Sequence, residues 1–171
     1  MSSLTTPSNI ARIRASSSAA AQALMKDAIA LWQSSGLRVV GLIEETHGLP
    51  DRMCNAGILR DIVTGATYSI YLETPPAGKT CHIDPSGAAR ACSAVLDQMR
   101  TCDLLVLSKF GKLEASGLGL FRAFAAAADA RTPVLTTVSG KHLTAWRAFA
   151  PNAAILAANL TALQNWWGSA H

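Results

Sequence analysis

A short apolar run at residues 104–107 constrains the fold of this chain more than any other feature. Four consecutive apolar residues between polar neighbours are typical of a strand that is buried on both faces, as in a parallel sheet. The polar segment that follows, residues 108–112, contains a serine, a glycine and two lysines. Ligands of open parallel sheets bind at the carboxyl ends of the strands, so this segment is a candidate binding edge.

Strand-like and helix-like segments alternate along the chain. The strand-like segments are residues 10–15, 37–44, 58–63, 67–72, 104–107, 133–138 and 152–156. Apolar residues recur at helical spacing in residues 19–32, 86–100, 120–130, 142–149 and 160–167. This order predicts a three-layer α/β fold, P-loop-NTPase-like in outline, whose mainly parallel sheet carries an inserted antiparallel hairpin at residues 58–72. Arg12 and Arg14 make the first segment a poor central strand.

The length of 171 residues suits one domain with its own hydrophobic core. We expect residues 10–171 to form that domain and residues 1–9, rich in Ser and Thr, to be a flexible tail. The tail lacks the basic and apolar regions of a signal peptide. No apolar run approaches the ~20 residues that span a bilayer. The expectation is a cytoplasmic protein that has no membrane partner.

The formal charge of +4 is spread over lysines and arginines that stand singly along the sequence. Without a basic run or interleaved aromatic residues, nucleic acid is not an expected partner, whereas small anions are compatible with this charge. The four cysteines form no Cys-x-x-Cys pair, and Cys81, His82 and Asp84 are poorly spaced for metal ligation. We therefore expect no metal and no cofactor, and we expect Asp84 to cap the helix that follows it.

Four segments, taken in order, resemble a known family. Residues 41–45, 59–65, 102–115 and 133–138 are similar to the small bacterial and archaeal nucleoside-triphosphatases with a P-loop fold. A closer resemblance is to a bacterial family of unknown function that is often encoded in molybdenum-transport operons. Residues 108–115 match that family's motif Asn/Ser-Arg/Lys-Phe-Gly-Lys-x-Glu-Ala, and residues 81–85 and 144–149 are also similar. The resemblance implies a P-loop-like fold and a link to molybdenum.

The nucleotide motifs of the resembled hydrolases are degenerate here. A phosphate loop needs G-x-x-x-x-G-K-[ST], because its glycines let backbone N–H groups approach the phosphates. The corresponding residues 14–22 contain neither glycine nor lysine. The acidic pair that the family carries after its Walker B strand falls on Ser108 and Lys109. The expectation is therefore a protein that does not hydrolyse nucleotides.

An anion site is the function that the remaining residues favour. Hydroxyls, lysines and the N-terminus of the first helix suit a tetrahedral oxyanion such as molybdate, sulfate or phosphate. The alternative is that both lysines are solvated surface charges. The predicted ligand-binding residues are Ser16, Ser17, Ser18, Ser108, Lys109, Gly111, Lys112 and Glu114.

The acidic residues near this edge have two interpretations each. Glu114 replaces a metal ligand or acts as a base in one of them; in the other, it pairs with Lys112 or caps the next segment. Glu44 and Glu45 are adjacent in a strand and point to opposite faces, so at most one enters the cleft. In the other interpretation, one of them pairs with a lysine.

Two further functions stay open at this point. In a residual nucleotide phosphohydrolase or transferase, Lys109, Lys112 and Glu114 would take over the lost roles. In a protein-interaction module, the hairpin and the Trp166-Trp167 end would bind a partner without any small ligand. Because two adjacent tryptophans are hard to bury together, this end also suggests a homodimer. Trp146 and Phe149, in contrast, are read as core residues.

Overall fold

The computed structural model describes residues 8–46, 57–70 and 83–170, which form one seven-stranded sheet with helices on both faces. The strands are β1 Ile10–Arg14, β2 Val39–Glu45, β3 Ile58–Asp61, β4 Thr67–Ser69, β5 Leu104–Leu107, β6 Val134–Thr137 and β7 Ala154–Ala157. They lie in the order β4-β3-β2-β5-β6-β1-β7. The pairs β2–β3 and β3–β4 are antiparallel, and the pairs β2–β5, β5–β6, β6–β1 and β1–β7 are parallel. The predicted three-layer α/β fold with an antiparallel addition is confirmed.

Helices connect the strands. They are α1 Ser18–Ser34, α2 Pro85–Gln98, α3 Lys112–Ala115, α4 Phe121–Ala130, α5 Leu143–Phe149 and α6 Leu160–Ala170, with 3-10 turns at Met99–Thr101 and Gly140–His142. Ser17 caps α1, since its Oγ accepts a hydrogen bond from the Ala20 N–H at 3.1 Å. Asp84 caps α2 as expected. None of the helices in the described ranges is long and apolar enough to cross a membrane.

The core consists of two hydrophobic layers that the sheet separates. In β5 all four side chains are buried, and alternate residues contribute to opposite layers. Leu105 and Leu107 pack under α2, α4 and α5, while Leu104 and Val106 pack under α1 and α6. Burial on both faces is the property that the apolar run 104–107 predicted.

Strand β1 lies between β6 and β7, so the expectation that its arginines would keep it from the interior of the sheet was wrong. Ala11 and Ile13 face the layer under α1 and α6, and Arg12 and Arg14 alternate onto the opposite face. Arg12 is only 8% exposed. The strand tolerates these residues because both line a cleft at its carboxyl end.

The predicted hairpin is present and shorter than expected among the described residues. Asp61 ends β3, and its Oδ1 accepts hydrogen bonds from the N–H groups of Val63 and Thr64 at 2.8 and 2.9 Å. The predictions that concern Cys81 and His82 lie outside the described residues. Residues 1–7 of the predicted tail also lie outside them, whereas the Ser8 carbonyl accepts a hydrogen bond from Trp166 Nε1 at 2.9 Å.

Candidate functional site

A cleft of about 520 Å³ lies at the carboxyl ends of β1, β5 and β6, beside the N-terminus of α1. It is placed where parallel sheets bind ligands. Four cationic side chains line it, and among the described residues that line it there is no Asp or Glu. These cations are Arg12, Arg14, Lys109 and Arg147.

Arg12 is the most buried of these cations. Burial lowers the pKa of Arg12 below its ordinary value, and the positive charges of Arg14 and Arg147 lower the pKa further. Within residues 8–46, 57–70 and 83–170, no carboxylate forms an ion pair with any of the three arginines. The charges of Arg12, Arg14 and Arg147 are therefore not paired with any carboxylate of the described residues.

Hydroxyl groups add hydrogen-bonding capacity around the arginines. Ser16, Ser17 and Ser18 line the cleft from the β1–α1 connection, and Thr137 and Ser139 line it from the end of β6. The Thr137 hydroxyl donates to the Ser108 carbonyl at 2.8 Å. Ser16 and Ser18 are exposed. The hydroxyl of an exposed serine can donate a hydrogen bond to a bound anion.

The connection between β1 and α1 contains only residues 15–17. A phosphate loop recognises phosphates with successive backbone N–H groups of a longer, glycine-containing loop. Here the connection is short, and the Ser17 hydroxyl oxygen already accepts the Ala20 N–H. Side chains, above all guanidinium groups, are the anion-binding groups that this cleft offers.

Lys109 lies at the boundary between this cleft and a smaller pocket of about 60 Å³. Its Nζ is 3.9 Å from Glu44 Oε2, so a carboxylate partly offsets its charge. Glu45, in contrast, accepts a hydrogen bond from Arg60 Nε at 2.8 Å, and this bond lowers the pKa of Glu45. The two adjacent glutamates therefore have different cationic neighbours, as their opposite strand faces predicted.

Glu114 is 8% exposed and is engaged within the fold. Its Oε2 accepts the Gly111 N–H and its Oε1 accepts the Leu120 N–H, each at 3.0 Å. Burial raises the pKa of Glu114, and these backbone hydrogen bonds and the charge of Lys109 oppose that rise. The interpretation of Glu114 as a cap for the next segment is confirmed, since Leu120 directly precedes α4.

The segment 108–115 is anchored in the core by Phe110. The Phe110 ring lies 5.3 Å from Trp146, 5.5 Å from Phe124 and 6.0 Å from Phe149, measured between ring centroids. The prediction that Trp146 and Phe149 are core residues is confirmed. This packing fixes where the following residues point.

The structure divides the predicted site between two pockets. Ser16, Ser17, Ser18 and Lys109 line the large cleft together. The remaining predicted residues line the smaller pocket, which Lys109 shares; they are Ser108, Gly111, Lys112 and Glu114. The expected convergence of both lysines on one anion therefore does not occur, because α3 begins at Lys112 and carries it away from the cleft.

Sequence reasoning missed the three arginines of the cleft. Arg12 and Arg14 were interpreted only as features that weaken a strand, although their i, i+2 spacing puts both on one face. The sequence around Arg147 contains no motif that would have placed this residue in a binding site. Arg147 reaches the cleft because α5 packs through Trp146 against Phe110.

The tryptophans near the C-terminus are packed within the chain. Trp166 is 4% exposed, and the ring of Trp167 is 6.2 Å from that of Trp32. A homodimer through this end stays a prediction. In the described ranges, no three His, Cys, Asp or Glu side chains are grouped so that they could hold a metal ion.

Comparison with known proteins adds a family and one relative. Residues 10–166 match the family described as "Protein of unknown function (DUF2478)". The chain is also 32% identical over 137 residues to the "Molybdenum import ATP-binding protein ModC 2" of Bradyrhizobium diazoefficiens. That match covers 78% of this chain and 15% of the relative's length. No solved structure matches. Because the family match covers most of the sequence, the chain belongs to DUF2478.

Proposed function

We propose that this member of the DUF2478 family binds a tetrahedral oxyanion, such as molybdate, in the large cleft and does not hydrolyse nucleotides. One observation carries the proposal: Arg12, Arg14 and Arg147 line a single cleft, and no carboxylate of the described residues lines it. Like charges repel, so such a cluster is stabilised when an anion occupies it. Lys109, already near Glu44, supplies a further and weaker attraction.

Guanidinium groups suit this role better than ammonium groups. Each presents a planar fork of N–H donors that can bind two oxygens of one oxyanion. Arg12 would approach the anion from the sheet and Arg147 from α5, with the serine hydroxyls of the β1–α1 connection on a third side. The N-terminal end of α1 would add a favourable dipole.

Molybdate is the first candidate because of the relative. The protein from Bradyrhizobium diazoefficiens is named for molybdenum import, and this chain resembles only a small part of it. Tungstate, sulfate and phosphate share the tetrahedral shape and a negative charge. They form the natural comparison set for a selectivity measurement.

The absence of hydrolysis is supported by the positions of the residues that a residual phosphohydrolase would need. The Glu114 carboxylate accepts two backbone hydrogen bonds and is thereby held away from a reacting water. Lys112 lines the smaller pocket and is not among the residues around the arginines. Neither residue is available for chemistry on an anion bound beside Arg147.

Isothermal titration calorimetry with molybdate, tungstate, sulfate, phosphate and ATP tests the proposal. We expect heat from at least one inorganic oxyanion. Arg147→Gln should weaken that binding roughly tenfold to a hundredfold, since a hydrogen bond to a charged group contributes about 1.5–3 kcal/mol. Arg90→Gln is the matched control, because Arg90 is exposed on α2 and does not line the cleft. No heat from any of the five compounds would refute the proposal.

A phosphate-release assay with ATP, with and without Mg²⁺, tests the second part. We expect no release above the protein-free rate. Turnover that Lys112→Ala abolishes would favour the hydrolase interpretation instead.

A further inference from the structure

The cleft is larger than an inorganic oxyanion requires. Its volume of about 520 Å³ lies within the range of roughly 300–1,000 Å³ that is typical of sites for organic ligands. A tetrahedral ion is comparable in size to a few water molecules, each of which occupies ~30 Å³ in the liquid. Most of the cleft would stay solvent-filled around such an ion.

One apolar residue of the lining, Leu143, has no role in the core. Leu143 lines the cleft, is only half-buried and belongs to neither of the two hydrophobic clusters of the described residues. It lies four residues before Arg147 on α5, so the two side chains share one face, with ~6 Å of axial rise between them. Val138 lines the same cleft and also packs against the core. An inorganic anion would make no favourable contact with these hydrocarbon groups.

Arg12 indicates where the charged part of a ligand would bind. Arg12 is 8% exposed as a whole residue, and its guanidinium opens onto the cleft. Among the described residues it has neither a hydrogen-bond acceptor nor an ion-pair partner. Partial burial and the neighbouring charges of Arg14 and Arg147 disfavour the charged form of Arg12, and an anionic group bound in the cleft would offset that effect.

We propose that the physiological ligand is an organic phosphate. Its phosphoryl group binds the guanidinium groups of Arg12 and Arg147, and its organic part lies along Leu143 and Val138. The inference rests on the proposed oxyanion function, because the same arginines bind the charged group. It differs from recognition by a phosphate loop, since side chains of β1 and α5 hold the phosphoryl group in place of backbone N–H groups.

Calorimetry with inorganic phosphate, phenyl phosphate, glycerol 3-phosphate and AMP tests the inference. We expect at least one of the three esters to bind about tenfold more tightly than inorganic phosphate, because contact with Leu143 removes apolar surface from water. Leu143→Ser should abolish this advantage and leave the affinity for inorganic phosphate within about twofold. Leu118→Ser is the control, because Leu118 is 54% exposed and lies outside the cleft.

The outcomes separate the two proposals. If inorganic oxyanions bind in an Arg147-dependent manner and none of the three esters binds more tightly, the organic-phosphate inference is overturned while the oxyanion function stands. If no anion binds, both proposals fail. If Leu143→Ser weakens inorganic and organic phosphates equally while circular dichroism stays native, Leu143 acts through the shape of the cleft and the inference is again overturned. Leu143→Ala, which shortens the side chain without adding a polar group, provides a second variant should Leu143→Ser not fold.

Discussion

The buried carboxylate of Glu114 accepts a hydrogen bond from the backbone N–H of Leu120 at 3.0 Å. Its second oxygen accepts a hydrogen bond from the Gly111 N–H. One side chain therefore links the backbone just after β5 to the backbone just before α4. Gly119 lies against this carboxylate, since a Cβ on Gly119 would be 2.5 Å from Glu114 Oε1. The segment that suggested a binding motif is thus largely a structural connection.

Replacing Glu114 by alanine should destabilise the protein. The change leaves two buried N–H donors without an acceptor, and each unsatisfied donor costs about 1–3 kcal/mol. We expect a loss of about 2–4 kcal/mol in the free energy of unfolding, measured by urea denaturation. Asp129→Ala is the control: Asp129 is exposed on α4, and surface changes are usually within about 0.5 kcal/mol. Equal effects of the two substitutions would contradict the assigned role of Glu114.

The raised pKa of Glu114 predicts a specific pH dependence of stability. Because burial raises the pKa above the ordinary value of 4.5, the folded state binds the Glu114 proton more tightly than the unfolded state does. The contribution of this group to stability is therefore fully present below pH 4.5 and is lost as the pH rises through the folded-state pKa. Glu114→Gln should remove this pH-dependent contribution to stability, because glutamine does not titrate. We expect the free energy of unfolding of the wild type, minus that of Glu114→Gln, to fall as the pH rises from 4.5 through the folded-state pKa of Glu114. Urea denaturation at a series of pH values measures this difference.

Glu45 provides a comparison of opposite sign. Its hydrogen bond to Arg60 lowers the pKa of Glu45, so its contribution is present above the unfolded-state pKa and is lost as the pH falls through the folded-state pKa. The difference between wild type and Glu45→Gln should therefore shrink on acidification. If the stability differences for Glu114→Gln and Glu45→Gln changed with pH in the same direction, the opposite pKa shifts assigned to Glu114 and Glu45 would both be contradicted.

The arginine cluster predicts that Arg12, a proposed binding residue, lowers the stability of the ligand-free protein. Arg12 is buried beside two other cations, and replacing a buried charge by an apolar group of similar length is often stabilising. Arg12→Met should raise the free energy of unfolding of the ligand-free protein by about 1 kcal/mol, measured by urea denaturation in a weakly binding salt such as chloride. The same variant should lose oxyanion binding in the calorimeter. A destabilised Arg12→Met protein would show that Arg12 has a structural partner.

The fold was predictable because its determinants are local. A four-residue apolar run between polar residues specifies a buried strand such as β5, and serine and aspartate caps mark the starts of α1 and α2. The three serines and Lys109 were predictable as cleft residues since they directly follow strands. Arg147 was not, because it reaches the cleft only through the packing of Trp146 on Phe110, a contact between residues far apart in sequence. Glu114 was recognised as a cap, but its partner Leu120 was not.

Gly41 in β2 is required by the close approach of β2 to β5. It adopts a φ of +141°, and a Cβ added there would lie 1.8 Å from the Val106 carbonyl oxygen, a backbone atom that cannot move without breaking the parallel pairing. Gly41→Ala should therefore cost more than about 3 kcal/mol or prevent folding, as strain in a packed core does. Gly168→Ala is the matched control, since no atom lies within 4 Å of a Cβ there. In α6 the same change should stabilise the protein by about 0.5–1 kcal/mol. Urea denaturation followed by circular dichroism measures the stability of both variants. A Gly41→Ala protein as stable as the wild type would show that β2 and β5 can move apart without a loss of stability.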